Sequence, residues 1–241
     1  MTLQMPGMRT AIILAAAIVL GGCKSSNTPT NEIFVLVDLS ETWHNTAQFE
    51  RNKRVLEEVG EGVVSAAADS LTPPLAVQYR IIGGDSYERP PVCDVVYRPQ
   101  LVNTSKAKPS WLITKAKSFQ RYLGVDCVEG ILALPPEPLT EVSAALASVA
   151  AKPRSPETKR TLIVISDFLE ETSAKTPLTG YDLRGVRVLL LYRPITRETA
   201  ASTLPRVAEW RAVLEGQGAK VEDRSDTALK RTDVTEFLVG R

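Results

Sequence analysis

Two short apolar segments, far apart in the chain, each run directly into an aspartate. Ile33–Val37 is followed by Asp38, and Thr161–Ser166 is followed by Asp167. Short segments rich in branched aliphatic residues, without polar alternation, are typical of strands buried on both faces of a parallel sheet. Helical patterns alternate with strand patterns along the chain. The sequence therefore predicts a doubly wound, mostly parallel α/β sheet with helices on both faces.

The other predicted elements give one domain, residues 33–241, with an insertion at about 85–130. Strands are expected where β-branched runs lie between turn signals, and helices where apolar residues recur at helical spacing. The predicted strands are Ile33–Val37, Leu75–Ile82, Asp94–Tyr97, Thr161–Ser166, Val186–Tyr192 and Ala219–Glu222. The predicted helices are Gln48–Leu71, Ser110–Leu123, Glu141–Lys152, Thr196–Gln217 and Asp226–Leu238.

The N-terminal segment has the pattern of an export signal. The apolar run Ala11–Leu20 is too short for a mature transmembrane helix but suits a signal-peptide core. "LGGC" then resembles a bacterial lipobox, which implies removal of residues 1–22 and a lipid (palmitate) anchor on Cys23. An ordinary secretory signal with a chance cysteine is the alternative. Residues 23–32 are predicted to be a flexible polar tether, and Lys24, where retained lipoproteins usually have aspartate, favours the outer over the inner membrane.

Two further cysteines, Cys93 and Cys127, are predicted to form a disulfide, because an exported chain is exposed to an oxidising compartment. Two separate buried thiols are the alternative. The chain has 29 Lys and Arg against 28 Asp and Glu, and cleavage would remove one of the basic residues, Arg9. This balance argues against nucleic acid or an anionic membrane as the main partner.

The two aspartates predict a metal site. Ligands of doubly wound sheets bind beyond the carboxyl ends of the strands, where the strand order reverses, and the first strand normally lies there. Asp38 and Asp167 would then face each other, with the hydroxyls of Ser40 and Thr42 beside them. Two close carboxylates repel each other unless a cation lies between them. An oxygen-only ligand set favours Mg²⁺ or a similar hard cation, Mn²⁺ or Ca²⁺.

"DLSET" resembles the Asp-x-Ser-x-Ser motif of von Willebrand factor A domains, with Thr42 as the last member. "PLTEVSAAL" supplies Thr140 at the position of the family's loop threonine, and "TLIVISDF" supplies Asp167. The resemblance extends from Ile33 to about Glu222. It implies a metal-ion-dependent adhesion site of Asp38, Ser40, Thr42, Thr140 and Asp167, in which a partner protein's carboxylate completes the coordination of the cation.

Two residues depart from the family pattern. Glu41 stands where the family usually has a small residue, and Phe168 stands where it usually has glycine after the aspartate. A retained fold with a vestigial site, in a structural component of an envelope complex, is therefore an open alternative. Glu41, Trp43 and His44 could lie on the rim and contact the partner. Alternatively, Glu41 could occupy the open coordination position itself or repel the partner's carboxylate, and Trp43 could pack under the first helix.

The same first motif also resembles that of haloacid-dehalogenase-type phosphatases, in which Asp38 would be the nucleophile. The second aspartate of that motif is Ser40 here, and a hydroxyl cannot act as a general acid or base near neutral pH. His44 is the sole histidine, and no Gly-x-Ser-x-Gly is present. The sequence thus favours a periplasm-facing lipoprotein that binds a protein partner and is not an enzyme.

Overall fold

The computed structural model describes residues 30–40, 46–69, 74–98, 110–170, 181–193 and 197–240. Predictions for the signal peptide, the lipidation site Cys23, and Glu41, Thr42, Trp43 and His44 fall outside these residues. No helix in the described ranges is long and apolar enough to span a membrane.

Six strands form one sheet in the order β3-β2-β1-β4-β5-β6. Every neighbouring pair is parallel except β2 and β3, which are antiparallel. The predicted doubly wound, mostly parallel sheet is thereby confirmed, and β1 lies beside β4 at the point where the order reverses. The bounds are β1 Asn31–Asp38, β2 Leu75–Ile82, β3 Cys93–Tyr97, β4 Lys159–Ser166, β5 Arg187–Tyr192 and β6 Lys220–Ser225.

Helices cover both faces of the sheet. Odd-numbered residues of β1 pack with α1 and α6, and even-numbered residues pack with α4 and α5, as the two-residue period of a strand requires. The helices are α1 Thr46–Asp69, α2 Ser110–Arg121, α3 Cys127–Leu132, α4 Val142–Ala150, α5 Arg197–Gly216 and α6 Arg231–Val239. A π-helical turn, Tyr122–Asp126, joins α2 to α3, and a 3₁₀ turn, Asp226–Ala228, follows β6.

Several predicted boundaries were wrong. The first strand begins at Asn31, inside the predicted tether, because its polar first residues pair with both β2 and β4. The last strand extends to Ser225, since its polar residues pair along the whole of β5. Local composition indicates neither extension, because the stabilising partners are distant in sequence.

Two predicted helices also differ from the structure. The helix predicted to end at Leu123 continues through the π-helical turn to Leu132, with Leu123 itself buried against α1. The predicted closing helix is divided at Lys230, which is extended and whose N–H donates to the Asp233 carboxylate, 2.9 Å away. This hydrogen bond satisfies an amide at the start of α6.

A disulfide joins Cys93, at the start of the edge strand β3, to Cys127, at the start of α3, and their Cα atoms are 5.8 Å apart. The predicted pairing is confirmed. The bond ties the predicted insertion to the sheet, since β3 forms one edge of that sheet and α3 packs against α1.

Candidate metal centre

The carboxyl ends of β1 and β4 meet at Asp38. Its side chain is fully buried, and its Oδ2 accepts a hydrogen bond from the Ser166 hydroxyl at 2.7 Å. Val37 pairs with Ile165 in the parallel register, so the last residue of each strand reaches the same edge of the sheet. The predicted convergence of these two strand ends is confirmed.

Ser40 lies on the other side of the same carboxylate. Its backbone N–H donates to Asp38 Oδ1 at 2.9 Å, and the turn that this bond closes keeps Ser40 buried beside the strand end. The preceding carbonyl, of Leu39, accepts from the Glu137 N–H at 2.8 Å, and Ser40 and Glu137 form an isolated parallel bridge. The segment that contains Glu137 therefore runs alongside Ser40.

Thr140 follows Glu137 by three residues and precedes α4. Its side chain is buried, although threonine in a connecting loop is mostly exposed. The Glu137 contacts bring this loop alongside Ser40, at the end of the sheet that carries Asp38. The role of Thr140 as a metal ligand stays a prediction.

The loop after β4 positions Asp167. Its Oδ1 accepts from the Leu169 N–H at 2.9 Å, and the Phe168 N–H donates to Ser166 Oγ at 2.8 Å. Phe168 is buried with φ 61°, the one non-glycine residue of the described chain at positive φ. From α5, Arg206 donates to the Asp167 backbone carbonyl at 3.2 and 3.3 Å. The loop is therefore fixed by packing and by hydrogen bonds.

Glu170 connects this loop to α4. Its carboxylate accepts from the Ser143 hydroxyl at 2.5 Å and from the Ser143 N–H at 3.2 and 3.4 Å. Amides in the first turn of a helix lack partners within the helix, and a carboxylate is favoured there by the helix dipole. Glu170 thus caps α4 from outside and holds the Asp167 loop against the segment that contains Thr140.

The electrostatics of the site centre on Asp38. Burial raises its pKa from 3.8 to about 6, against the opposing effect of the hydrogen bonds from Ser166 and Ser40, and the nearby charge of Asp167 raises it further. The ionised carboxylate is therefore destabilised at neutral pH. Protonation of the carboxylate, or a cation bound beside it, would reduce this unfavourable free energy.

Further acidic groups surround the α4 end of the site. Burial, together with the charges of Glu170 and Asp85, raises the pKa of Glu141. Arg89 forms ion pairs with Asp85 at 2.6 Å and with Glu137 at 2.5 Å. Gly83 leaves room for Glu137, because a Cβ atom at that position would come within 2.5 Å of its carboxylate.

The donor set fits a hard cation. Asp38, Ser40, Thr140 and Asp167 offer carboxylate and hydroxyl oxygens at one edge of the sheet, which are the ligands that Mg²⁺ and Ca²⁺ prefer. The described residues contain no cluster of three or more His, Cys, Asp and Glu side chains that could hold a metal. A site here would therefore depend on hydroxyl ligands, among which the sequence includes Thr42.

Sequence reasoning missed three residues of this site. Ser166 was assigned to a strand without a role, although a hydroxyl next to Asp167 at a buried strand end is a recognisable signal. Glu170 and Arg206 carry no such signal, because their contacts with Ser143 and with the Asp167 carbonyl form only in the folded chain.

No protein-family model matches this chain, and no curated protein matches it. The chain is similar to a solved von Willebrand factor type A protein from Catenulispora acidiphila at 11% identity and TM-score 0.48, over 88% of this chain but 42% of that one. It is also similar to an aerotolerance-related membrane protein from Bacteroides fragilis, at 14% identity and TM-score 0.42 over 87% of this chain and 99% of that one. A third, the hypothetical protein BatB from Bacteroides thetaiotaomicron, has 14% identity and TM-score 0.40 over 87% and 97%.

The predicted doubly wound, mostly parallel sheet is confirmed by the strand order itself. That conclusion does not rest on these solved structures, whose TM-scores all lie below 0.5. At such identities a likeness describes the fold alone. It assigns no ligand, partner or location to this chain.

Proposed function

We propose that this protein is an envelope lipoprotein whose von Willebrand factor A-like domain binds a protein partner through a divalent cation. The ligands would be Asp38, Ser40, Thr140 and Asp167, together with Thr42. The observation that carries the proposal is the fully buried carboxylate of Asp38, whose pKa is raised to about 6 by burial and by the adjacent charge of Asp167. A buried pair of carboxylates is costly at neutral pH unless a positive charge compensates it.

The surroundings of the two aspartates support this assignment. Both Asp38 oxygens accept hydrogen bonds, from Ser40 and from Ser166, and these bonds fix the orientation of the carboxylate. Arg206, the cation bonded to the Asp167 loop, donates to a backbone carbonyl. A divalent cation bound between the carboxylates would supply a compensating positive charge, and a partner's carboxylate could complete its coordination.

The same geometry speaks against phosphatase chemistry. Ser40 occupies the place of the general acid or base, and its N–H is bonded to the residue that would be the nucleophile. A hydroxyl at this position cannot transfer protons near neutral pH. We therefore propose a binding function without catalysis, and a phosphatase assay with Mg²⁺ checks this directly.

Metal binding is tested by thermal unfolding with and without millimolar Mg²⁺, Mn²⁺ or Ca²⁺. At a concentration about 100 times Kd, a ligand of the native state stabilises it by about 2.7 kcal/mol. This corresponds to a rise in Tm of roughly 5–10 °C for a domain of this size. Asp38→Asn should abolish the rise, whereas Asp182→Asn, an exposed aspartate elsewhere, should retain it. Unchanged melting of the wild type with all three metals would show that the site is vestigial.

The partner is tested by pull-down from bacterial membranes with Mg²⁺ or with a chelator. We expect a partner that is captured by the wild type with Mg²⁺ and lost with the chelator and with Asp38→Asn. If neither the chelator nor Asp38→Asn changes the capture, the partner binds another surface.

Anchoring is a separate part of the proposal and rests on the sequence around Cys23. Cys23→Ser should leave the protein unprocessed or release it from membranes, and separation of inner and outer membranes would show where the wild type resides. A wild type found wholly in the soluble periplasmic fraction would contradict the anchor.

A further inference from the structure

A groove of about 570 Å³ lies at the amino-terminal ends of the parallel strands, whereas Asp38 lies at their carboxyl-terminal ends. Its apolar lining comes from Ile33 in β1 and from Leu238 and Val239 at the end of α6. The proposed metal centre and this groove are therefore separated by the length of the sheet.

Cationic residues line the groove from one face of the sheet. Thr161, Arg187 and Lys220 are neighbours in register across β4, β5 and β6. Lys159 precedes Thr161 by two residues, so it lies on the same face as this row. All four residues line the groove, which gives this face three cations along adjacent strands. Arg160, a fourth cationic residue of the groove, is buried and forms an ion pair with Glu32 at 2.8 Å.

The three cations differ in whether a neighbouring anion or aromatic ring offsets their charge. Arg187 lies over the Phe237 ring at 4.5 Å and reaches Glu222 at 3.4 Å. Lys159 and Lys220 are exposed, and neither forms an ion pair with any residue that the structure describes. Glu157 is the one carboxylate among the groove residues. The groove thus presents a local positive charge, although the charge of the whole chain is nearly balanced.

The chain enters the domain beside these lysines. The Thr30 N–H donates to the Pro74 carbonyl at 2.9 Å, and the Thr30 carbonyl accepts from the Lys159 N–H at 2.9 Å. Thr30 itself lines the groove. Thr30 is seven positions after Cys23, and an extended chain spans at most about 25 Å over that many Cα–Cα steps. A lipid on Cys23 would therefore keep this edge of the sheet close to the membrane.

We infer that this groove binds the phosphate headgroups of anionic phospholipids in the membrane that carries the anchor. Lys159, Arg187 and Lys220 provide the charge complementarity to a phosphate headgroup. Each Lys or Arg near an anionic surface strengthens binding roughly fivefold, which is weak alone but effective when a tether holds the groove nearby. The proximity of a membrane rests on the lipid anchor proposed above, but the test below does not require that anchor.

The test uses residues 24–241 without lipid, a chain that retains every described residue, in sedimentation with phosphatidylcholine vesicles with or without 30% phosphatidylglycerol. Because the untethered chain binds only through these weak contacts, the vesicles are used at millimolar lipid, where we expect binding to the anionic vesicles that is lost at high salt. Lys159→Glu with Lys220→Glu should weaken it by at least about 30-fold, since two favourable charges are removed. The matched control is Lys53→Glu with Lys117→Glu, which has the same net charge on α1 and α2 and should bind as the wild type does.

Three outcomes would overturn the inference. The wild type could fail to prefer anionic vesicles, or the control pair could lose binding as fully as the groove pair, which would indicate a response to net charge. Alternatively, inorganic phosphate could raise Tm through Lys159 and Lys220 while vesicles stay unbound, which would indicate a soluble anion as the ligand. Because no lipid anchor or metal is present, none of these results depends on Cys23 or on Asp38.

Discussion

The Ser166 hydroxyl donates to Asp38 Oδ2 at 2.7 Å and accepts from the Phe168 N–H at 2.8 Å. One buried side chain thus connects the carboxylate at the end of β1 to the backbone of the loop that carries Asp167. The two halves of the proposed metal centre are joined by this serine even without a cation.

Ser166→Ala should weaken both halves. The Asp38 carboxylate loses a hydrogen bond from a neutral donor, and the Phe168 N–H loses its acceptor in a buried place, which together should cost about 2–3 kcal/mol of unfolding free energy. Chemical denaturation measures this loss, with Ser155→Ala, in a partly exposed loop, as the control. Loss of stability no greater than that of the control would show that this serine does not hold the site together.

Asp38 should make the metal-free protein less stable as pH rises. Its pKa is about 6 in the folded state and 3.8 as the ordinary value, so its contribution is fully present below about pH 4 and is lost as pH rises through 6. The loss is of order 3 kcal/mol, since each pKa unit corresponds to about 1.4 kcal/mol.

Asp38→Asn provides the measurement, because the amide stays neutral. The stability of the variant relative to the wild type should increase between pH 4 and pH 7, and millimolar Mg²⁺ at pH 7 should reduce the difference. A difference between the two proteins that is constant across this range would contradict the raised pKa.

Phe168 should reverse the usual ranking of alanine and glycine. Either substitution removes a buried ring, which costs about 3–5 kcal/mol. At φ 61°, however, a Cβ atom is itself unfavourable by about 1–2 kcal/mol, so Phe168→Gly should be more stable than Phe168→Ala. Urea denaturation measures the unfolding free energies of the two variants. If Phe168→Ala is more stable than Phe168→Gly, the loop does not hold this conformation.

Asp226 should contribute strongly to the stability of the domain at the carboxyl ends of β5 and β6. Its fully buried carboxylate pairs with Arg193 at 2.8 Å and with Arg51 of α1. Asp226→Asn leaves these guanidinium groups without their anion, and breaking a buried pair in this way costs about 3–5 kcal/mol. Thermal unfolding should show a large fall in Tm, against almost none for Asp182→Asn at the surface. Equal Tm values for the two variants would contradict the burial of this pair.

The disulfide should act mainly on the unfolded chain. Its two cysteines are 34 residues apart, for which chain entropy suggests about 3–4 kcal/mol. Cys93→Ser with Cys127→Ser should lower the unfolding free energy by about this amount in non-reducing denaturation. Two reactive thiols in the denatured, unreduced wild type would show that the bond is absent.

The sequence predicted the parts of the fold that local pattern controls. Ile33–Val37 and Leu162–Ile165 are unbroken apolar runs, so the burial and adjacency of these strands could be inferred, and with them the convergence of the strand ends that precede Asp38 and Asp167. The polar ends Asn31 and Ser225 were missed because their strand pairing depends on distant neighbours. Glu170 was missed for the same reason, since its role requires the first turn of α4 to lie beside it.

One end of β1 follows the predicted anchor and the other end carries Asp38 of the proposed metal centre, so β1 would transmit force between the membrane and the partner. The chain from the predicted anchor reaches the strand at Asn31, and the proposed partner would pull at Asp38, at the other end of this eight-residue strand. Force between membrane and partner would therefore act parallel to β1. Because β1 is paired with β2 on one side and β4 on the other, the force would load both hydrogen-bond ladders in shear, with their bonds sharing the tension. A strand loaded in this way resists extraction better than one that is peeled from its end, which would suit the proposed role of a tethered domain that holds a partner.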